Sequence, residues 1–341
     1  MLNRVYRLAS PRLFEPVETE IDLNQSEVIV RPTYLSICNA DQRYYRGLRD
    51  PQVLAKKLPM ALIHEGIGEV VADRTGGFRR GERVVMLPNA AVETDDVIGE
   101  NYLRSSTFSG SGVDGFMQEY VALPASRVLR LPDSLDNEVA AFTEIVSVAV
   151  HAVTRFESLA HSRRQTIGVW GDGNLGFLVA AVLRAVLPNS RICIVGRNQY
   201  KLDEFSFADK TSLTYQVDGM PEVDHAFECC GGDGSAAAID QIIDVIKPEG
   251  TISLLGVSEN RVPINTRMVL EKGLRLFGSS RSGRGDFERV LDIYAGHPRL
   301  MAYLSTLSNE VLPVRSIEDI AAAFETDLRK SMGKTVLEWD I

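Results

Sequence analysis

The stretch Thr166-Ile-Gly-Val-Trp170 runs directly into Gly171-Asp-Gly-Asn-Leu-Gly176, and a largely apolar segment follows. The first stretch is typical of a buried β-strand, and the segment after the glycines has the periodicity of a helix. Gly171 permits a tight turn, Gly173 lets the backbone approach a pyrophosphate, and Gly176 lets the helix pack on the strand. The helix start offers free N–H groups to an anion. The predicted dinucleotide-binding residues here are Gly171, Gly173, Asn174, Leu175 and Gly176.

The same alternation of apolar strands with helical patterns continues on the carboxyl-terminal side of this motif. Alternation of this kind predicts a parallel sheet covered by helices, and six strands complete a doubly wound Rossmann sheet. We therefore predict an α/β fold. The predicted strands span 166–171, 191–196, 212–217, 224–230, 251–257 and 274–279, and the predicted helices span 174–187, 235–247 and 264–272.

The chain before residue 149 has a different pattern, with short apolar or alternating runs bounded by Gly, Pro and charged residues. Such runs predict a mostly β domain. The domain boundaries that we predict are 1–148 for the β domain, with 300–341 returning to it, and 149–299 for the Rossmann domain. The predicted strands lie at 27–31, 81–87, 118–123 and 334–339, and the predicted loops at 46–59 and 88–115.

The overall composition excludes several functional classes. The 341 residues include 37 basic and 46 acidic side chains, giving a formal charge of −9, which disfavours nucleic-acid binding through phosphate neutralisation. The amino terminus has no signal-peptide pattern, and the most apolar helical stretch is far shorter than a membrane span. We therefore expect no nucleic acid, no membrane and a cytoplasmic location. Four cysteines are too few and too scattered for a disulfide framework, and we expect Cys193, Cys229 and Cys230 to be buried packing thiols.

The end of the second Rossmann strand indicates which nicotinamide cofactor binds. NAD sites usually carry Asp or Glu here, about 20 residues past the glycines, to bind the ribose 2′-hydroxyl. This chain has Arg197 and Lys201 instead, and no carboxylate between them. Two cations suit a 2′-phosphate, so we predict NADPH. The alternative is that both side chains are simply solvated.

Metal-binding residue types occur in three separate segments. Cys38 and Asp41 follow a predicted strand, His64-Glu65 form a second segment, and Glu144 lies in a third. A thiolate, an imidazole and carboxylates suit zinc. Because the segments are far apart, spacing alone leaves open that Cys38 is a buried thiol and His64 a hydrogen-bonded core residue.

The order of Cys-x-x-Asp, His-Glu-x-x-Gly, Gly-Glu-Arg-Val, Glu-x-x-Ser and the Rossmann glycines resembles the zinc-dependent medium-chain alcohol dehydrogenases. This resemblance implies a GroES-like catalytic domain with one catalytic Zn²⁺ and no structural zinc, since residues 88–115 contain no Cys. It implies that Asp41 orients the zinc-bound histidine and that Ser279 and Ser280 lie near the nicotinamide. The implied metal ligands are Cys38, His64 and Glu144, with Glu65 as a further ligand or a near neighbour of the metal.

More narrowly, the stretches at 38–45, 58–65, 170–176, 225–229 and 255–258 are similar to ribulose-5-phosphate reductases of the TarJ type. That similarity implies NADPH-dependent reduction of D-ribulose 5-phosphate to D-ribitol 5-phosphate, the precursor of CDP-ribitol for teichoic acid or capsule synthesis. It further implies a homodimer and a ribitol-5-phosphate cytidylyltransferase as a possible partner. The alternatives are a dehydrogenase of another polyol or polyol phosphate, and a non-catalytic partner of the cytidylyltransferase.

A phosphorylated substrate needs cations near the metal. Candidates for the phosphate are Arg43, Arg46 and Arg49, with Lys56 and Lys57 shortly after them; the alternative is a solvated basic loop. Two positions depart from the pattern of the wider dehydrogenase family. Ile63 replaces the usual glycine before His-Glu, and Ala40 replaces the hydroxyl residue that starts a proton relay, so the relay residue stays open.

Overall fold

The computed structural model describes residues 1–341, apart from the side chain of Asn309. The strands are β1 Leu2–Ser10, β2 Leu13–Glu20, β3 Val28–Ser36, β4 Met60–Ala61, β5 Glu65–Asp73, β6 Arg83–Met86, β7 Asn89–Ala90, β8 Thr107–Phe108, β9 Val121–Leu123, β10 Val128–Arg130, β11 Thr166–Trp170, β12 Arg191–Gly196, β13 Lys210–Leu213, β14 Val223–Glu228, β15 Ile246–Leu254, β16 Arg275–Gly278, β17 Ser308–Val314 and β18 Lys334–Trp339. The helices are α1 Asn39–Tyr45, α2 Pro51–Lys57, α3 Asn137–Ala141, α4 Thr143–Leu159, α5 Asn174–Val186, α6 Gln199–Leu202, α7 Gly234–Val245, α8 Thr266–Lys272, α9 Arg284–Gly296, α10 Pro298–Ser305 and α11 Ile317–Arg329.

The chain divides into two compact units. The first comprises Met1–Glu144, Ser282–Leu291 and Leu304–Ile341, and the second Ile145–Arg281 and Asp292–Tyr303. Within the described residues, no helix has both the length and the apolar character that a membrane span requires.

The second unit contains a six-stranded sheet in the order β13-β12-β11-β14-β15-β16, with every neighbouring pair parallel. The chain starts at the central strand β11, winds outward to β13, and then crosses to β14 on the other side. This is the doubly wound order, and it places the topological switch point between β11 and β14. The predicted Rossmann sheet is confirmed, and α5 follows β11 as the glycine pattern predicts.

The first unit is mostly β. A larger sheet has the order β10-β6-β5-β3-β18-β17, with β9 also pairing with β3, and a smaller sheet has the order β2-β1-β4. The predicted strand at 334–339 is confirmed as β18, which pairs antiparallel with β3. An apolar core within this unit includes the rings of Tyr44, Tyr45, Phe116 and Phe324.

Two predictions about local structure are wrong. The loop predicted at 46–59 contains helix α2, which Asp50 caps by accepting a hydrogen bond from the Gln52 N–H (2.8 Å) and which Pro51 starts. Cys230 is exposed, whereas Cys193 and Cys229 are buried as expected. The reason is that β14 ends at Glu228, so Cys230 belongs to the following turn and not to the buried strand.

Candidate active site

Three adjacent strands of the larger sheet bring the predicted metal-binding residues together. β3 pairs antiparallel with β5 on one side and with β18 on the other. The carboxyl end of β3 therefore lies beside the amino ends of both neighbours, with Ser36 opposite Glu65 and Val336. Cys38 follows β3 directly, Glu65 opens β5, and Lys334 opens β18.

The donor cluster consists of Cys38, His64 and Glu65. One ligand atom from each residue lies within 4.8 Å of the other two. His64 and Glu65 are buried, and Cys38 is partly exposed. The Phe108 ring packs against the His64 ring with centroids 5.2 Å apart, so it shields one side of the imidazole. Sequence spacing left this grouping open, and the structure brings all three side chains to one point.

Asp41 ties the donor cluster together. One carboxylate oxygen accepts a hydrogen bond from the Cys38 backbone N–H (2.9 Å), and the other accepts one from the Ile63 backbone N–H (3.0 Å). The second oxygen also lies 3.6 Å from His64 Nδ1. Because Asp41 is fully buried, these are strong charge-assisted interactions. Asp41 therefore fixes the backbone at Cys38 and at Ile63, the residue before His64. It also faces the ring nitrogen of His64.

Ile63 adopts a left-handed backbone conformation directly before His64, with φ of 64°. That conformation is strained for a β-branched residue and free for glycine. It is held by the bond to Asp41 and by the hydrogen bond that the Ile63 carbonyl accepts from Phe116 N–H (2.7 Å). Ile63 thus keeps the backbone conformation that glycine would adopt freely. The conformational strain is offset by the two hydrogen bonds.

Lys334 pairs with Glu65 inside the unit. Its ammonium group lies 2.9 Å from each Glu65 carboxylate oxygen and donates to the Ile37 carbonyl (2.8 Å). Both side chains are almost completely buried. Burial lowers the pKa of Lys334, but the negative charges of Glu65 and Cys38 outweigh it and the net pKa is raised. A buried Glu65 therefore already has a cation as partner.

Glu144, the second residue of α4, is buried beside the donor cluster. Burial raises its pKa to about 7, with His64 lowering it and Glu65 raising it further. Burial also raises the pKa of the Cys38 thiol, and hydrogen bonding to His64 opposes that rise. The His64 pKa is lowered by burial but raised more strongly by Asp41 and Cys38, so it ends well above its usual value.

The chemistry of these donors fits zinc. Zinc accepts thiolate, imidazole and carboxylate ligands, and catalytic sites supply three protein ligands and leave one position open. In the part of the chain that the structure describes, Cys38, His64 and Glu65 form such a set, and one Glu65 oxygen lacks a well-aligned hydrogen bond. Asp41 and Lys334 supply the outer interactions that orient metal ligands in proteins.

The glycine loop in the second unit has the shape that a pyrophosphate site needs. Gly171 has φ of 134°, and a Cβ there would lie 2.9 Å from the Cys229 carbonyl group. A Cβ on Gly176 would clash with the Gly171 carbonyl oxygen, whereas one on Gly173 would meet open space. Gly173 caps α5 without a side chain, so α5 begins at Asn174 and Leu175 with its positive dipole end directly behind the glycine loop.

The end of β12 has no room for the acid that NAD sites carry. A Cβ on Gly196 would lie 2.6 Å from Asp172 Cβ and 2.8 Å from Leu202 Cδ2. The Asp172 carboxylate instead accepts the backbone N–H groups of Arg197 (2.7 Å) and Asn198 (2.8 Å). This fixes the turn that carries Arg197, whose side chain is exposed. Among the described residues, no carboxylate forms an ion pair with Arg197 or Lys201.

Ser279 and Ser280 follow β16, the edge strand of the same sheet. Ser279 is buried, its N–H donates to the Leu254 carbonyl (3.0 Å), and its hydroxyl has no partner within the described residues. A buried hydroxyl without a partner at the carboxyl edge of the sheet agrees with a ligand-facing position.

The basic segment after the donor cluster folds around Tyr44. The Arg49 guanidinium lies 4.9 Å from the Tyr44 ring centroid, and Lys57 Nζ donates to the Tyr44 hydroxyl (3.0 Å). Arg43 is partly buried, and burial followed by the charge of Arg49 lowers its pKa. Arg46 and Lys56 are exposed. The structure therefore brings Arg43 and Arg49 together with Lys57, but not Arg46.

Comparison with known proteins gives these sites a context. The alcohol dehydrogenase GroES-like domain matches residues 24–133, and the glucose dehydrogenase C-terminus matches residues 137–339. A ribulose-5-phosphate reductase of Bacillus spizizenii is 56% identical over 344 residues, covering 100% of both chains. Ribulose-5-phosphate reductase 1 of Staphylococcus aureus is 52% identical and covers 99% of both. The crystal structure of S. aureus TarJ in complex with NADPH has a TM-score of 0.88 at 47% identity, with complete coverage of both chains.

The chain belongs to the ribulose-5-phosphate reductase family. Membership confirms the resemblance inferred from the sequence and the medium-chain dehydrogenase architecture with a GroES-like unit. More distant solved structures, such as L-idonate 5-dehydrogenase of Escherichia coli (21% identity, TM-score 0.85), share this fold.

Sequence reasoning missed two residues of these sites. Lys334 lies 269 residues from Glu65, and the only signal was a lysine at the start of a predicted strand returning to the first unit. Asp172 lies inside the glycine motif, but its position is variable in the G-x-G-x-x-G pattern, so nothing marked it. Both act through other residues: Lys334 on a candidate ligand, and Asp172 on the turn that carries Arg197.

Proposed function

We propose that this chain catalyses the NADPH-dependent reduction of D-ribulose 5-phosphate to D-ribitol 5-phosphate. The observation that carries the proposal is the donor cluster of Cys38, His64 and Glu65, set in a chain that aligns end to end with ribulose-5-phosphate reductases. A degenerate, non-catalytic relative would not need to keep such a cluster, together with the buried Asp41 and Lys334 that support it.

Zinc bound by the donor cluster would supply a Lewis acid for the C2 carbonyl oxygen, and reduced nicotinamide would supply the hydride. The chain's own residues hold this arrangement. Asp41 fixes the Cys38 backbone and places a negative charge 3.6 Å from His64 Nδ1, and Lys334 partly neutralises Glu65. The Phe108 ring packs against one side of the His64 ring. The buried Glu144 is the further candidate ligand.

For the cofactor, we propose that the glycine loop binds the pyrophosphate and that Arg197 and Lys201 bind the 2′-phosphate. Ser279 and Ser280 are the proposed contacts of the nicotinamide end. Three observations support this proposal. Open space lies at Gly173, and Gly196 has no room for the side chain of an acidic residue. Among the described residues, no carboxylate pairs with Arg197. The related S. aureus protein was crystallised with NADPH.

The test is oxidation of NADPH by the purified protein with D-ribulose 5-phosphate, beside a panel of other ketoses and ketose phosphates. Cys38→Ser is the informative variant and Cys230→Ser the matched control, because Cys230 is exposed and lies outside the donor cluster. We expect the wild type and the control to be active on ribulose 5-phosphate and Cys38→Ser to lose activity. Preference for another polyol precursor, or for NADH, would refute the proposal.

We further propose a homodimer, a cytoplasmic location, and delivery of the product to a ribitol-5-phosphate cytidylyltransferase that makes CDP-ribitol for teichoic acid or capsule synthesis. The family resemblance supports these assignments. Light scattering of the purified protein tests the dimer, and co-purification with the cytidylyltransferase tests the partnership.

A further inference from the structure

We infer that Lys57, Tyr44 and Ser111 form the subsite that holds the 5-phosphate of the substrate. This inference rests on the proposed function and names the residues that select a phosphorylated sugar. Lys57 Nζ donates to the Tyr44 hydroxyl (3.0 Å) and to Ser111 Oγ (3.0 Å), and the two hydroxyls lie 3.5 Å apart. A cation and two hydroxyl groups thus meet at one point.

The charge of Lys57 has no acidic partner within the described residues. Within the described residues, no carboxylate lies within ion-pair distance of Lys57, and its partners are two hydroxyls and the Ser111 carbonyl (3.5 Å). Arg49 adds positive charge from the face of the Tyr44 ring, with its guanidinium carbon 4.9 Å from the centroid. Lysine in a partly buried position normally pairs with an acid, so neutral partners alone favour an anionic ligand.

Tyr44 shows that the positive charge reaches its hydroxyl. The residue is 2% exposed, and burial raises its pKa. Hydrogen bonds from Ser111 and Lys57, followed by the charges of Lys57 and Arg49, outweigh burial, and the net pKa is lowered. The hydroxyl therefore lies in a field that favours negative charge, and a phosphate oxygen would be stabilised by the same field.

Phe108 links the subsite to the donor cluster. Ser111 N–H donates to the Phe108 carbonyl (3.0 Å), closing a turn that keeps the two Cα atoms within about 7 Å. Phe108 in turn packs on His64 with ring centroids 5.2 Å apart. The turn that carries Ser111 is thus the same one whose Phe108 ring packs on the donor cluster, which places the cationic site on the loop beside the proposed metal site. Unphosphorylated ribulose has no group for that site.

Replacing Lys57 tests the subsite. Lys57→Ala removes the charge, Lys57→Arg keeps it, and Lys56→Ala is the matched control because Lys56 is the exposed neighbour with the same charge. The readout is the ratio of kcat/KM for D-ribulose 5-phosphate to kcat/KM for D-ribulose. Loss of one charge-assisted bond predicts a fall in this ratio of about 10- to 100-fold for Lys57→Ala. We expect partial recovery in Lys57→Arg and the wild-type ratio in Lys56→Ala.

Binding of inorganic phosphate, measured by calorimetry, separates this inference from the proposed function. If the wild type binds phosphate and Lys57→Ala does not, the subsite stands even when ribulose 5-phosphate proves not to be the substrate. If ribulose 5-phosphate is reduced and Lys57→Ala keeps both the wild-type ratio and phosphate binding, the proposed function stands and the subsite is wrong.

Discussion

Replacing Asp41 with asparagine keeps the shape of a buried side chain and removes its charge. The carboxylate accepts two backbone hydrogen bonds, from Cys38 (2.9 Å) and Ile63 (3.0 Å). Asparagine has one acceptor oxygen, so one N–H loses a charge-assisted bond and faces an amide NH₂, while the other bond becomes neutral. At about 1.5–3 kcal/mol for a lost charged bond and about 1 kcal/mol for the weakened one, the free energy of unfolding should fall by about 2.5–4 kcal/mol.

The same substitution should weaken zinc binding, because loss of an outer partner of a metal ligand typically costs about 10- to 100-fold in affinity. Denaturant unfolding with a chelator present measures the first effect, and competition with a chromophoric chelator measures the second. Asp50→Asn is the matched control, since Asp50 caps α2 with one exposed bond to Gln52 N–H. A variant of Asp41 with wild-type stability and wild-type zinc affinity would show that Asp41 does not organise the donor cluster.

Three further substitutions have distinct expected outcomes. Arg197→Ala should raise the KM for NADPH about 10- to 100-fold with little change for NADH, and an equal change for both would remove Arg197 from the 2′-phosphate site. Lys334→Met should destabilise the metal-free protein by about 3–5 kcal/mol by leaving Glu65 buried and unpaired; zinc should restore part of this in thermal melts, and unaltered melting would contradict the pairing. Gly173→Ala should keep the melting temperature and lose NADPH binding, whereas Gly176→Ala should lower the melting temperature; the reverse pattern would refute the glycine assignments.

The Rossmann unit was predictable because its signals are local. The strand at 166–170, the three glycines and the helix after them are contiguous. Contacts with neighbouring backbone require glycine at 171 and 176, whereas Gly173 leaves open space in front of the helix. The short helix α2 was missed because it buries no residue, so it has no apolar periodicity to detect.

The donor cluster was not predictable from spacing, because its order comes from strand pairing. Cys38, His64 and Lys334 meet only once β3 lies between β5 and β18. The resemblance to a known family identified Cys38 and His64, but it did not identify Lys334. The contact between Lys57 and Ser111 was also not predictable from spacing. It joins a turn at 108–111 to the last residue of α2, a helix that the sequence pattern did not predict.

Zinc content measured together with NADPH oxidation tests the central claim most directly. The wild-type protein is analysed for metal, stripped with a chelator, assayed with D-ribulose 5-phosphate, and assayed again after zinc is returned. We predict a single zinc ion per chain, loss of activity in proportion to its removal, and recovery on its return, with neither zinc nor activity in Cys38→Ser. Full activity in the metal-free protein would contradict the assignment of Cys38, His64 and Glu65 as a catalytic zinc site.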